Sequence, residues 1–229
     1  WTTLMLDKEL GSDDEDERRE CADLVALVTP IVKAFFTDNA WIATSHCMQV
    51  FGGHGYIREW GMEQFVRDAR INMIYEGTNT IQSLDLLGRK VLADNGKKLK
   101  AFGKRIAEFI EEEGVHEQMQ EFVNPLADLG DKVTKLTTEL GMKAFANPDE
   151  VGAAAVDYLR VVGHLCFAYL FARMAKIALA KQGSGDPFYT AKLATARFYF
   201  AKLLPETAAL IRSARAGVAP LMAMDEALF

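Results

Sequence analysis

The chain has 229 residues, 50% of them hydrophobic and 25% charged, with a formal net charge of −6. That balance belongs to an ordinary soluble globular protein and excludes disordered and fibrous classes. The acidic sign and the lack of a dense Lys/Arg stripe argue against nucleic acid, because phosphate binding needs a concentrated basic surface.

The first residue is Trp1, with neither an initiator Met nor a charged-then-apolar leader, so the chain reads as a fragment of something longer. "GSDDEDERRE", Gly11 to Glu20, sets acidic residues before an apolar-periodic stretch and predicts a helix start favoured by the macrodipole. Thr29-Pro30 then resets the pattern. Threonine as N-cap and proline in the first helical position predict a helix from about Pro30 to Val50, burying Ile31, Phe35 and Ile42 and stopping at Gly52-Gly53. "GHGYIREWG", Gly53 to Gly61, predicts a shaped loop, after which "MEQFVRDARINMI" resumes helical spacing. Gly77-Thr78 ends that element, and Thr78 caps a further helix carrying Ile81, Leu84, Leu87 and Val91 that closes near Asn95-Gly96.

Long amphipathic segments follow: Lys97 to Glu113, Val115 to Phe145, Asp149 to Lys181, and Asp186 to about Ala216. Asn147-Pro148 and "GSGDP" supply turns, as an antiparallel bundle requires. "VVGHLCFAYLFA", Val161 to Ala172, falls short of the ~20 apolar residues of a membrane span and is flanked by charge, so a buried core helix is expected. Cys21, Cys47 and Cys166 lie apart in apolar helical patterns, which predicts buried free thiols rather than disulfides. With no period-2 strand and no fixed-period repeat, the fold class is all-α.

Candidate chemistry gathers in two stretches. "QVFGGHGY", Gln49 to Tyr56, is either a plain turn or a surface where a phosphate or ring rests against bare backbone. His46 and His54 lack further ligands at helical spacing, so no metal is expected. Glu76 is either a first-turn carboxylate or a general base whose pKa is raised by a wall of Ile71, Met73, Ile74 and Tyr75. Residue chemistry alone favours the former. Arg67 and Arg70 share a helix face and suit either a phosphate or ion pairs with acidic neighbours, while Glu111 to Glu113 reads as a solvated helix end.

Together, "QVFGGHGYIREWGMEQFVRDARINMIYEGTNTIQSLDLLGRKVL", Gln49 to Leu92, resembles the C-terminal helical domain of the acyl-CoA dehydrogenases, flavoproteins that introduce an α,β double bond into acyl-CoA thioesters. The resemblance rests on the Q-x-F-G-G-x-G-Y loop, then R-D-x-R-I-x-x-I-Y-E-G-T, then Gln82, and spans roughly Ala22 to Leu92. The segment from about Lys97 to Phe229 is similar to the extra helical domain of larger members, such as those similar to methylmercaptopropionyl-CoA dehydrogenase. The implied organisation is residues 1–95, a C-terminal helical domain truncated at its start, followed by a second antiparallel bundle at 96–229.

The resemblance further implies FAD as cofactor, an acyl-CoA substrate from fatty-acid β-oxidation, an acceptor such as an electron-transfer flavoprotein, and a homo-oligomer. The expected compartment is the cytoplasm of a bacterium or the mitochondrial matrix of a eukaryote. Glu76 becomes the base that removes the α-proton, its N–H helping to hold the thioester oxygen, with Tyr75 lining the pocket near the thioester. Gly77 and Thr78 would lie against the flavin nucleotide, and Gln49, Gly52 and Gly53 would reach the FAD of a neighbouring subunit. Thr80 stands where many members have a glutamine that contacts the flavin nucleotide. The family's N-terminal and middle domains do not occur in this sequence, so the fragment alone is expected to be inactive. The competing reading is a helical oligomerisation or docking module in which Glu76 is only a cap.

Overall fold

The computed structural model describes residues 1–228 and is helical throughout, with no strand among the described residues. The all-α expectation holds. The chain divides into two units, Trp1–Asp94 and a second that begins at Asn95.

In the first unit, α1 (Thr2–Gly11) packs on the long α2 (Glu15–Val50). Asp14 caps α2, accepting from the backbone N–H of Asp16 at 2.8 Å and of Glu17 at 3.3 Å, with Glu15, Asp16 and Glu17 in the first turn. Glu17 also accepts from Lys8 Nζ and Ser12 Oγ, which ties α1 to this start.

Thr29-Pro30 does not begin a helix, contrary to the local signal: α2 runs straight through it. Thr29 Oγ1 donates back to the Val25 carbonyl at 2.7 Å instead of capping. A proline inside a helix costs about 3 kcal/mol. The buried face Cys21, Leu24, Leu27, Val28, Ile31 and Phe35 crosses Pro30 without interruption. Each such side chain contributes about 1.5–3 kcal/mol on burial, so one continuous helix wins. That buried face ends at Phe35; Ile42, expected in the core, is 38% exposed.

The segment expected as a shaped loop is made of short helical turns: α3 (Gly53–Tyr56), a 3-10 turn at Arg58–Trp60, then α4 (Met62–Ile71). After the Glu76 turn, α5 (Asn79–Leu84) runs into wide i to i+5 turns over Asp85–Leu92. A wide turn adds about 100° of rotation to the face pattern. Leu86, Leu87 and Val91 are buried, whereas Ile81 and Leu84 are not.

The second unit contains α6 (Lys97–Glu113), α7 (Gln120–Ala146), α8 (Asp149–Lys181), α9 (Pro187–Phe198) and α10 (Glu206–Arg215). Helix α8 packs against α7, α9 and α10. Asp149–Ser184 is the one described helix long and apolar enough by composition to cross a membrane, and 56% of its apolar window is buried within the protein, as suits a core helix. The segment expected from Val115 starts only at Gln120, because a reversal after Gly114 buries Met119 and leaves Val115 outside. The last segment is two helices: a wide turn at Tyr199–Leu203 precedes Pro205, whose missing N–H and ring break the α-helical ladder.

Burial corrects two further expectations. Glu111 and Glu112 are exposed, as a solvated helix end requires, but Glu113 is 5% exposed and pairs with the half-exposed Lys176 of α8. That hydrogen bond raises the Lys176 pKa above its ordinary value. Cys21 and Cys166 are buried, with the Cys166 thiol pushed up to about 12 by burial, but Cys47 is exposed.

Candidate active site

The stretch between α4 and α5 is a tight reversal built on two successive left-handed residues, Glu76 at φ 54° and Gly77 at φ 82°. Glycine takes this conformation freely, and a Cβ at residue 77 would also meet Gln82 Nε2 at 3.0 Å. A glutamate there costs about 1–2 kcal/mol, and strain of this kind concentrates at functional sites. Asn79 N–H donates to the Met73 carbonyl at 3.1 Å and closes the loop, while Thr78 Oγ1 accepts from Ile81 N–H at 3.4 Å and caps α5.

Neither residue-level reading of Glu76 describes its surroundings. It lies ahead of the N-cap Thr78, not in the first helical turn. The wall expected from Ile71, Met73, Ile74 and Tyr75 does not close over it, because Glu76, Ile71, Ile74 and Tyr75 are all exposed in this chain. Tyr75 OH turns back to donate to Asn72 Oδ1 at 2.5 Å. The Glu76 carbonyl accepts from Gln82 Nε2 at 3.4 Å, whereas its N–H meets no acceptor among the described residues. The strained turn therefore presents a carboxylate and a backbone donor side by side.

What holds this turn lay outside the sequence reading. The Asn79 amide reaches α2: its Nδ2 donates to Asp38 Oδ1 at 2.6 Å, Thr37 Oγ1 at 2.9 Å and the Ala34 carbonyl at 3.2 Å. Its Oδ1 accepts from Lys33 Nζ at 2.7 Å. Burial lowers the Lys33 pKa, opposed by the nearby carboxylates of Asp38 and Glu76. Periodicity could not reveal Lys33, Thr37, Asp38 and Asn79 as one cluster, since their contacts span up to 46 residues. The adjacency of Asn79 to Thr78 was the only local hint.

Gln49 lies at the far end of α2, about 16 Å along the axis from Asp38 at 1.5 Å per residue, and Gly52 and Gly53 follow just past that end. The two groups of expected residues are therefore not brought together within one copy. Gly52 adopts φ 58°, and a Cβ on Gly52 or Gly53 would meet nothing within 4 Å, so this backbone is open to approach from outside. Bare backbone of that kind permits the close approach of a ligand or another chain. His54 packs edge-on against Trp60 at 5.5 Å, and no group of His, Cys, Asp and Glu that could hold a metal occurs among the described residues. Arg67 and Arg70 are both exposed; Asp68 accepts from Gln64 at 2.8 Å instead of pairing with Arg67.

Comparison with known proteins gives this geometry a family. Residues 102–225 match the family described as "Acetyl-CoA dehydrogenase C-terminal like", and residues 14–92 match "Acyl-CoA dehydrogenase, C-terminal domain". The chain belongs to the acyl-CoA dehydrogenase family. It is 36% identical over 85% of its length to the 3-methylmercaptopropionyl-CoA dehydrogenase of Ruegeria pomeroyi, covering 34% of that protein. To the broad-specificity linear acyl-CoA dehydrogenase of Mycobacterium tuberculosis it is 30% identical over 89% of its length, covering 35%. The fold is similar to that of Caenorhabditis elegans ACDH-11 in its crystal structure with C11-CoA, with a TM-score of 0.65 at 21% identity, over 86% of this chain and 32% of that one. The chain thus spans about a third of the length of the curated relatives it matches.

Proposed function

We propose that this chain supplies the catalytic base and part of the flavin site of an FAD-dependent acyl-CoA dehydrogenase. The observation that carries the reading is the left-handed Glu76–Gly77 turn, which offers a carboxylate and an unengaged N–H from one residue. The Glu76 carboxylate takes the α-proton of the acyl-CoA thioester, and the C–H electron pair becomes the new α,β double bond. The Glu76 N–H would donate to the thioester oxygen as charge develops on it; such donors are worth about 3–4 kcal/mol. FAD, when bound, accepts the hydride that leaves the β-carbon.

In this reading Tyr75 would line the pocket near the thioester, Gly77 and Thr78 would help hold the flavin nucleotide, and Gln49, Gly52 and Gly53 would help hold the FAD of a neighbouring subunit. The separation of the two groups along α2 supports that division of labour and a homo-oligomer. An acceptor such as an electron-transfer flavoprotein completes the cycle. The compartment is the cytoplasm in a bacterium or the mitochondrial matrix in a eukaryote. The test is Glu76→Gln in the full-length protein: flavin stays bound, while its reduction by acyl-CoA falls about 10²- to 10⁴-fold. Unchanged reduction rejects the base.

A further inference from the structure

Glu76 stands in a loop whose second left-handed residue is a glycine, so something beyond local propensity must hold the carboxylate in place. The loop is flanked at one end by α4, which packs on α2, and is closed at the other by Asn79. Asn79 is fixed twice: its N–H donates to the Met73 carbonyl, and its carbonyl accepts from Ser83 Oγ at 2.9 Å inside α5. Beyond the packing of α5 on α2, the side chain ties this end to α2 by hydrogen bonds.

The cluster specifies an amide. Thr37 has one hydroxyl proton, and the Lys33 carbonyl at 2.7 Å is nearer to it than the Ala34 carbonyl or Asn79 Oδ1, each at 3.2 Å, so toward Asn79 Nδ2 at 2.9 Å it acts as acceptor. Asn79 Oδ1 then faces the Lys33 ammonium, and Nδ2 faces the Asp38 carboxylate. Turning the amide over would set donor against donor at Lys33 and acceptor against acceptor at Asp38. A charged group on each side thus fixes both the orientation of the amide and the position of the residue three places after Glu76.

We propose that Asn79 is the positioning residue for the Glu76 base, pinning the strained turn to α2 through Lys33 and Asp38. The inference rests on the reading of Glu76 as base. The field of Glu76 at Lys33 agrees with the geometry, since the cation held by Asn79 lies close enough to the carboxylate to interact with it.

The experiment uses the full-length protein loaded with FAD and an acyl-CoA whose β-carbon carries no hydrogen, so that only the proton step can run. Deuterium uptake at the α-carbon from D2O is followed, and dissociation of the analogue and flavin content are measured separately. Asn79→Ala is expected to slow exchange about tenfold or more, with binding of analogue and flavin within about twofold of the parent, because small misplacement of a reacting group is costly in rate. Asn79→Asp sets a carboxylate against Asp38 and is expected to be equally slow. Adding Asp38→Asn exchanges donor and acceptor across the same contact and should restore exchange to within about threefold. Parental exchange rates in Asn79→Ala, or a loss in Asn79→Asp that Asp38→Asn does not relieve, overturn the proposal. Should Asn79→Ala fail to fold, the paired variants still decide. Glu76→Gln is run alongside: if it exchanges normally, the base reading itself has failed, whereas an inactive Glu76→Gln beside normal Asn79 variants sinks only the positioning role.

Discussion

Replacing Glu76 by glycine should make the protein more stable while removing the proposed base. Glu76 holds φ 54°, a left-handed conformation that costs a residue with a Cβ about 1–2 kcal/mol. Glycine escapes that cost but gives up about 0.5–1 kcal/mol through the greater freedom of the unfolded chain. The difference leaves a net gain of up to about 1.5 kcal/mol, about 0.75 kcal/mol at the midpoints, for Glu76→Gly. Glu76→Ala is the control, because it keeps the Cβ and the strain while losing the same carboxylate, so any interaction with Lys33 drops out of the comparison. Trp1, Trp41 and Trp60 all lie in the first unit, so tryptophan fluorescence during urea denaturation reports on the unit that contains the turn. Glu76→Gly should unfold at higher urea than Glu76→Ala, with a melting temperature about 1–4 °C higher for a chain of this size. A glycine variant no more stable than the alanine variant would refute the left-handed geometry and the argument built on it.

The second unit carries its own test at His164, which is 5% exposed and bonds to Tyr199 OH through Nδ1 at 3.0 Å. Burial lowers its pKa below the ordinary 6.5, a shift that Glu206 opposes and Arg160 adds to. The unfolded imidazole therefore binds its proton first, and stability should fall as pH drops below about 6.5 until the folded group titrates as well. His164→Gln should flatten that slope in melting temperature measured from pH 7 to 5; an unchanged slope would assign it to other groups. The 229-residue chain, which spans about a third of its relatives' length, should neither retain FAD through gel filtration nor reduce an acceptor with acyl-CoA. Robust acyl-CoA-dependent dye reduction by it would show that these residues suffice.

Where a signal acts within a turn or two, the sequence determined the outcome. Asp14 and Thr78 cap the helices they precede, and the i, i+3, i+4 spacing from Lys97 onward forms helices. The ordered pair of the glycine loop and "YEGT" was enough to indicate the family that the comparisons bear out. Tertiary structure decided where burial or long-range contact competes with a local cue. Thr29-Pro30 carries a strong start signal, but its few kcal/mol yield to a buried face that runs past it. Glu113 reads as solvated until Lys176 of α8 is brought against it. Glu76 owes its left-handed backbone to the reversal between α4 and α5, and the Asn79 side chain finds its partners up to 46 residues away. Caps and periodicity report only neighbours within about one helical turn, whereas the position of a carboxylate is set by whichever distant side chains the packed fold delivers to it.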